Sequence, residues 1–330
     1  MKNLRSAAVS FVAVACALAF VTTAGAAVRA HTQLPHNQLT DVTVSYVPYS
    51  NDSSMFLAIR KGYFKKHGLS VTLTTAAAPT FTVAAVESGE AQFAFVTTVV
   101  LVNIAAHGTA LECVSSVDGN QTTNVKDDGT ELLTNASSGI HSVADLAGKT
   151  VATVQLASLN TLTVQDLASK AGINPSSIRF VPMGFATMPQ ALQQGTVQAA
   201  IITSPYSQTA EANGAVVIAH PNVSVMPGQS TTCFAGSQSW VHGHQRIAKD
   251  FLAAMDEGIA YTKNHPEAAA ATLQSYGLAT SLSDAESQKL GTDFNPIIKP
   301  ISLAKVATLL EQFGYITTPA NSRSLIFPGA

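Results

Sequence analysis

The chain has 330 residues, of which 46% are hydrophobic and 12% charged, with a formal net charge of -2. That balance excludes an intrinsically disordered chain, and it offers no electrostatic footprint for nucleic acid or an anionic membrane surface. The length suffices for two domains of ordinary size.

At the N-terminus, Lys2 and Arg5 precede an apolar, charge-free stretch over residues 6–21. Ala24-Gly25-Ala26 then supplies a small-residue cleavage pattern, with Val28-Arg29-Ala30 as a second choice. This predicts a secretory signal peptide within residues 1–30 and a periplasmic or otherwise secreted mature protein. An uncleaved anchor is the alternative. Cys16 lies inside the apolar stretch, where it is poorly placed for lipidation. The next apolar run, 99–106, is far too short to span a bilayer. Removal of the leader leaves two cysteines, Cys113 and Cys233. Exported cysteines can pair, and buried thiols are the other reading; the residues alone leave both open.

The mature chain opens on a strand in which Val42, Val44 and Tyr46 alternate with polar residues. Turn formers follow over 47–51, and Asp52 and Ser53 are placed to cap a helix over 54–61 that Gly62 stops. A short turn ends at Gly68, and a second strand carries Leu69, Val71 and Leu73 on one face. A helix around Phe81–Val86, a buried strand over 93–96, a helix over 99–107 and a strand over 111–117 continue the rhythm. Alternating strands and helices predict a mostly parallel sheet.

A polar break over 118–129 reads as a crossing into a second lobe. Predicted there are a helix over 140–148, strands at 150–154, 178–181 and 197–202, and a helix over 161–171. Thr187 and Gln190 suggest a capping box, and Ser204 a cap with Pro205 at the first helical position. A second connector, 221–229, leads to a strand over 231–237 that returns to the first lobe. The remainder is predicted helical over 245–264, 266–276, 283–290 and 302–313, with a loose or surface-wrapped tail.

Three loops of small hydroxyl or amide residues precede helix N-termini: 49–53, Thr97-Thr98, and 157–160. Amide groups at such ends suit anions or polar head groups, and three of them in two lobes point to a cleft. Of the aromatic residues, Tyr49 and Tyr206 stand in polar turns and are better placed to touch a ligand than Phe81 or Phe185. Catalytic signals are weak: the chain has no phosphate-binding P-loop and no nucleophile elbow. His242-Gly243-His244 has no spaced metal-ligand partner and reads as a surface helix start, and Asp145 and Asp166 read as solvated charges.

The opening run VTVSYVPYSNDSSMFLAIRKGYFKKHGLSVTLTT resembles that of bacterial solute-binding proteins for sulfonates, taurine, nitrate and thiamine-pyrimidine precursors. So do AAVESGEAQFAFVTT, SGIHSVADLAGKTVAT and ALQQGTVQAAIITSPYSQTAEANGAVVI, and the likeness covers residues 42–276. The resemblance implies a two-lobed α/β, type II periplasmic-binding-protein fold, each lobe a mostly parallel sheet flanked by helices, joined by two hinge crossings. It divides the chain into lobe I, 40–120 and 228–330, and lobe II, 130–220. Carried over, the ligand set is Tyr49, Ser50, Asn51, Thr97, Thr98, Ser158, Leu159, Asn160, Phe185, Ser204 and Tyr206. The fold's return strand would bring Cys233 beside the strand of Cys113, which implies a disulfide. Many relatives carry an acidic residue before the Pro-Tyr pair; here Thr203-Ser204 stands there. No arginine lies in the expected ligand loops, which disfavours a multiply charged ligand.

The function implied is capture of a small molecule and delivery to an ABC permease and ATPase. The protein is expected to act as a monomer, with no cofactor, metal or nucleic acid. Two alternatives stand beside it. Thiamine-pyrimidine synthases share the fold but carry a Cys-rich iron motif this chain lacks. A sensing protein would dock on a membrane receptor instead of an importer.

Overall fold

The computed structural model describes residues 39–117, 119–279 and 294–330. The leader, Asp118 of the first crossing and the helix expected over 283–290 lie outside these residues.

The first sheet runs in the order β2-β1-β3-β10-β4. Its strands are β1 (Thr40–Tyr46), β2 (Leu69–Thr75), β3 (Phe93–Thr97), β4 (Leu111–Ser116) and β10 (Thr232–Ser237). β1 pairs in parallel with β2 and β3, whereas β10 lies antiparallel between β3 and β4. The second sheet runs β7-β6-β8-β5-β9. Its strands are β5 (Thr130–Asn135), β6 (Thr150–Thr153), β7 (Arg179–Pro182), β8 (Ala199–Thr203) and β9 (Ala215–Ala219). β6 pairs in parallel with β7 and β8, and β5 lies antiparallel between β8 and β9. In each sheet the strand that runs against its neighbours is the one arriving from the other lobe.

Helices cover both sheets. In lobe I they are α1 (Ser53–Arg60), α2 (Tyr63–Lys66), α3 (Pro79–Glu87) and α4 (Thr98–Ala106). Lobe II has α5 (Leu159–Lys170), α6 (Met188–Gln193) and α7 (Tyr206–Ala212), and α8 (Pro221–Val225) lies in the second crossing. After β10 come α9 (Gln238–Gly243), α10 (Gln245–Asn264), α11 (Pro266–Ser275) and α12 (Pro300–Gln312). The long α10 shows why these segments fold as they do. Ala248, Phe251, Leu252, Met255 and Ile259 recur at three- and four-residue spacing, and all are buried. Ala248, Phe251, Leu252 and Met255 pack with Met55, Phe56 and Ala58 of α1 and with the aromatic rings of Phe93 and Phe234. The Phe93 and Phe251 rings stack with centroids 4.0 Å apart.

The two crossings run side by side. Gln121 N donates to Gln229 O at 2.7 Å, Gly228 N donates back to Gln121 O at 3.0 Å, and Ser230 Oγ donates to Asn120 Oδ1 at 2.7 Å. Cys113 and Cys233 form a disulfide across β4 and β10, their Cα atoms 5.9 Å apart. The ladder shifts register between Phe234 and Ala235, which sets the two cysteines diagonally rather than face to face.

Several local expectations need correction. The helix expected over 140–148 is a 3-10 turn, Val143–Leu146, in which Asp145 accepts from the backbone N–H groups of His141 and Ser142. β5, Thr130–Asn135, follows directly on the 118–129 crossing, in a stretch for which the sequence predicts no element. Thr187 makes no capping bond to α6; its hydroxyl donates to Gly184 O. Ser204 does not cap α7 either: Pro205 holds that position after a cis peptide bond, and Ser204 Oγ donates to Gln208 Oε1. Asp166 is buried and pairs with Lys170 at 2.6 Å instead of being solvated. His242 lies in the last turn of α9, on the surface, and contacts the buried Glu112 at 2.8 Å, while His244 stands at the start of α10 as expected. The tail docks: Leu325 and Phe327 are buried, and Phe327 N donates to Cys113 O.

Candidate functional site

A cavity of about 120 Å³ lies between the lobes. Lobe I contributes the loop after β1, with Tyr49, Ser50 and Asn51, and the end of β3 at Thr97. Lobe II contributes Ser158, Leu159 and Asn160 at the start of α5, together with Phe185 and Ser204. These nine of the eleven expected residues come together. The other two stand behind the wall. Thr98 is fully buried and held by Thr231 O, which accepts from its backbone N–H at 2.8 Å. Tyr206 does not line the cavity, and its ring stacks on that of Phe185, with centroids 6.1 Å apart.

Each wall is fixed by a local device. Thr97 Oγ1 accepts from Val100 N and caps α4, and Ser158 Oγ accepts from Thr161 N and caps α5. Both helix N-termini therefore face the cavity with their side-chain caps already engaged. The loop after β1 is held from below by Asp52, whose Oδ2 accepts from Tyr49 N at 2.9 Å. Its other oxygen is buried without a partner, and burial pushes this carboxyl well above the usual range, against the lowering by that bond. Burial, with help from the Asp52 charge, likewise raises the phenol of Tyr49. Tyr49 meets Phe95 of its own lobe edge-on at 5.5 Å and Phe185 of the other lobe at 6.0 Å. Two aromatic rings from opposite lobes thus share one wall.

The floor is the pair of crossings, which the sequence reading treated as hinge only. Asn120, Gln121, Asp128, Asn222 and Thr231 all line the cavity. Asp128 is buried and ties the crossings together. Its Oδ1 accepts from Gln121 Nε2 at 3.1 Å and Thr130 N at 3.0 Å, and its Oδ2 from Val223 N at 3.0 Å. Burial raises this carboxyl, and the bonds from Val223, Thr130 and Gln121, with the nearby His220, hold part of the rise back. Asn222 reaches lobe II, accepting from Thr163 Oγ1 at 3.1 Å and donating to Asn160 Oδ1 at 3.5 Å. Among the described lining residues none is Lys, Arg or His, and Asp128 is the one carboxylate. Gln121, Asp128 and Asn222 are polar residues in the two stretches that pass between the lobes, but polarity alone does not tell a cavity floor from a solvated turn. No group of three or more His, Cys, Asp or Glu residues among those described could hold a metal.

A family model described as NMT1/THI5 like matches residues 50–269. The chain belongs to this family. The NMT1/THI5-like match takes in the walls and floor of the cavity, apart from Tyr49. No protein of curated function matches. Similar solved structures include the periplasmic aliphatic sulphonate binding protein SsuA from Escherichia coli, at 20% identity over 87% of this chain and 92% of that one, with a TM-score of 0.71. The periplasmic nitrate-binding protein NrtA from Synechocystis PCC 6803 aligns at 13% identity over 87% and 85%, with a TM-score of 0.70. A ligand-binding component of an ABC-type import system from Staphylococcus aureus aligns at 14% over 87% and 96%, with a TM-score of 0.73. At these identities the likeness establishes the two-lobed α/β fold of periplasmic binding proteins. Among the described residues, no helix is long and apolar enough to cross a membrane.

Proposed function

We propose that this NMT1/THI5-like protein is an extracytoplasmic solute-binding protein that captures a small molecule between its lobes and delivers it to an ABC importer. The observation that carries the reading is the cavity's construction. Lobe I, lobe II and both crossings each supply a wall, so a ligand is enclosed only when the lobes are together. A ligand that touches all of these walls binds the closed arrangement better than an open one, and that differential affinity is the whole mechanism of capture. Similarity to proteins described as periplasmic and as part of an ABC-type import system supports export and delivery. The expected leader and the disulfide are consistent with an oxidising compartment.

The test is a small-molecule screen by thermal shift on the mature protein, followed by small-angle scattering with each hit. A ligand at 100 times its dissociation constant should stabilise by about 2.7 kcal/mol and should reduce the radius of gyration or hold it at the closed value. A verified ligand that leaves an open, unchanged scattering profile would contradict capture by closure.

A further inference from the structure

Resting on that reading, we infer that the ligand is an N–H donor without net negative charge, an amine, amidine or amino-bearing zwitterion, anchored at Asp128 and Gln155.

The floor and one wall of the cavity are rich in acceptors and lack cationic side chains among the described residues. Asp128 is buried, and its three donors, Gln121 Nε2, Thr130 N and Val223 N, leave one of the about four acceptor positions of a carboxylate unfilled. Gln155, at the start of lobe II's ligand loop, has a buried Oε1 with no partner. Thr232 Oγ1, also at the cavity, is buried without a partner. A buried amide oxygen left unmet is costly, so the group that enters should bring a donor to Gln155 Oε1, whereas the Thr232 hydroxyl can accept or donate. A simple anion would bring none and would be placed beside a carboxylate in a poorly solvated site.

The N-termini of α4 and α5 act on the other end of the ligand. Their positive ends favour an acceptor oxygen, a ring nitrogen or the anionic end of a zwitterion. The Tyr49 and Phe185 rings add an apolar face. The ligand is therefore dipolar, with its donor end at the crossings and its acceptor end at the helix starts.

Matched probes that differ at the nitrogen group test this on the mature full chain. Taurine is set against ethanesulfonate and benzamidine against benzoate, by calorimetry and thermal shift. A panel of small molecules sorted into simple anions and uncharged or cationic N–H donors accompanies them. Expected is that hits fall among the donors and that the nitrogen-bearing member of a binding pair is at least tenfold tighter. Asp128→Asn should weaken these hits at least tenfold. If that variant does not fold, Gln155→Met, away from the crossings, should weaken them severalfold. Hits confined to simple anions, or unchanged donor affinity in the folded variants, would overturn the inference while leaving capture by the cavity in place. No hit in either class would instead remove the binding-protein reading, and the inference with it.

Discussion

Gly258 offers a direct probe of how α10 supports the ligand loop. It lies in the middle of α10 with α1 pressed against it. A Cβ added there would stand 2.6 Å from Ser54 O and 2.8 Å from Ala58 Cβ. Ordinary contacts begin at 3.4 Å, so Gly258→Ala must drive α1 off α10 by several tenths of an ångström. Overpacking of this kind costs about 1–3 kcal/mol. The exchange of Gly for Ala within a helix returns up to about 1 kcal/mol. The net expectation is a loss of about 1–2 kcal/mol, or about 1–3 °C in melting temperature for a chain of this size. Ser54 lies one turn from the Tyr49–Asp52 loop, so the same displacement should weaken ligand binding. Calorimetric melting reads the first effect and titration with a screened ligand the second. Gly243→Ala is the control: nothing lies within 4 Å of the added Cβ, and stability should stay level or rise. A G258A protein that melts at or above the parent would refute the reasoning, because the helices would then have room the distances deny.

Further outcomes follow from the disulfide, from Asp256 and from Phe185. The bond between Cys113 and Cys233 closes a separation of 120 residues that contains all of lobe II. Chain entropy then gives at most about 5 kcal/mol, so the C113A/C233A double variant should lose about 2–5 kcal/mol in urea unfolding; a loss below about 1 kcal/mol would count against it. Asp256, half-buried on α10 with an unpartnered buried oxygen, has its carboxyl pushed up to about 6 by burial. A raised carboxyl favours the protonated folded state, so its contribution is full below the ordinary carboxylate range and is lost as pH rises through about 6. Asp256→Asn should therefore stabilise the protein at pH near 7.5 and do little at pH near 4, measured by urea midpoints; equal effects at both pH values would contradict the assignment. Phe185→Ala removes the aromatic face shared with Tyr49 and should weaken ligand binding by about tenfold, the worth of roughly 1.4 kcal/mol; unchanged titration curves would remove Phe185 from the site.

Much of this fold was legible in the sequence, because most elements announce themselves by period and punctuation. The α10 boundaries follow from the three- and four-residue spacing of its apolar side chains, and β1 from the alternation at Val42 and Val44. β5 escaped because its burial does not come from apolar residues alone. Thr130, Glu131 and Thr134 are buried beside Leu132 and Leu133. The threonines are admitted by specific bonds, Thr130 Oγ1 to Thr203 Oγ1 at 3.1 Å and Thr134 Oγ1 to Gln198 O at 2.7 Å. Local patterning cannot show partners 64 or 73 residues away. The floor of the cavity escaped for the same reason. Gln121, Asp128 and Asn222 read as solvated turn residues until the apposition of the two crossings buries them. Among the walls, small hydroxyl residues before helices were a sufficient guide to Thr97 and Ser158. The choice between Phe185 and Tyr206 was not readable, since the two rings stack and only the lobe geometry decides which faces inward.

The packing also says which wall should part when the cavity opens. Leu159 and Leu162 of α5 share one apolar cluster with Val225 and Met226 of the second crossing and with Val306, Leu309 and Leu310 of α12. Tyr315 Oη, just beyond α12, donates to Gln165 Oε1 of α5 at 3.4 Å. α5 of lobe II is thereby fastened to lobe I beside the crossings. Exposing two such leucines would cost about 3–6 kcal/mol, more than the about 2.7 kcal/mol a ligand supplies at 100 times its dissociation constant. Opening should therefore leave α5 on α12 and separate the Tyr49 and Phe185 rings, which meet edge-on across the lobes. In hydrogen exchange, a bound ligand should then protect the amides of 49–53 and 185–188 strongly and those in the middle of α5 little. Strong ligand-dependent protection confined to α5 and α12 would show that the lobes part at the opposite side.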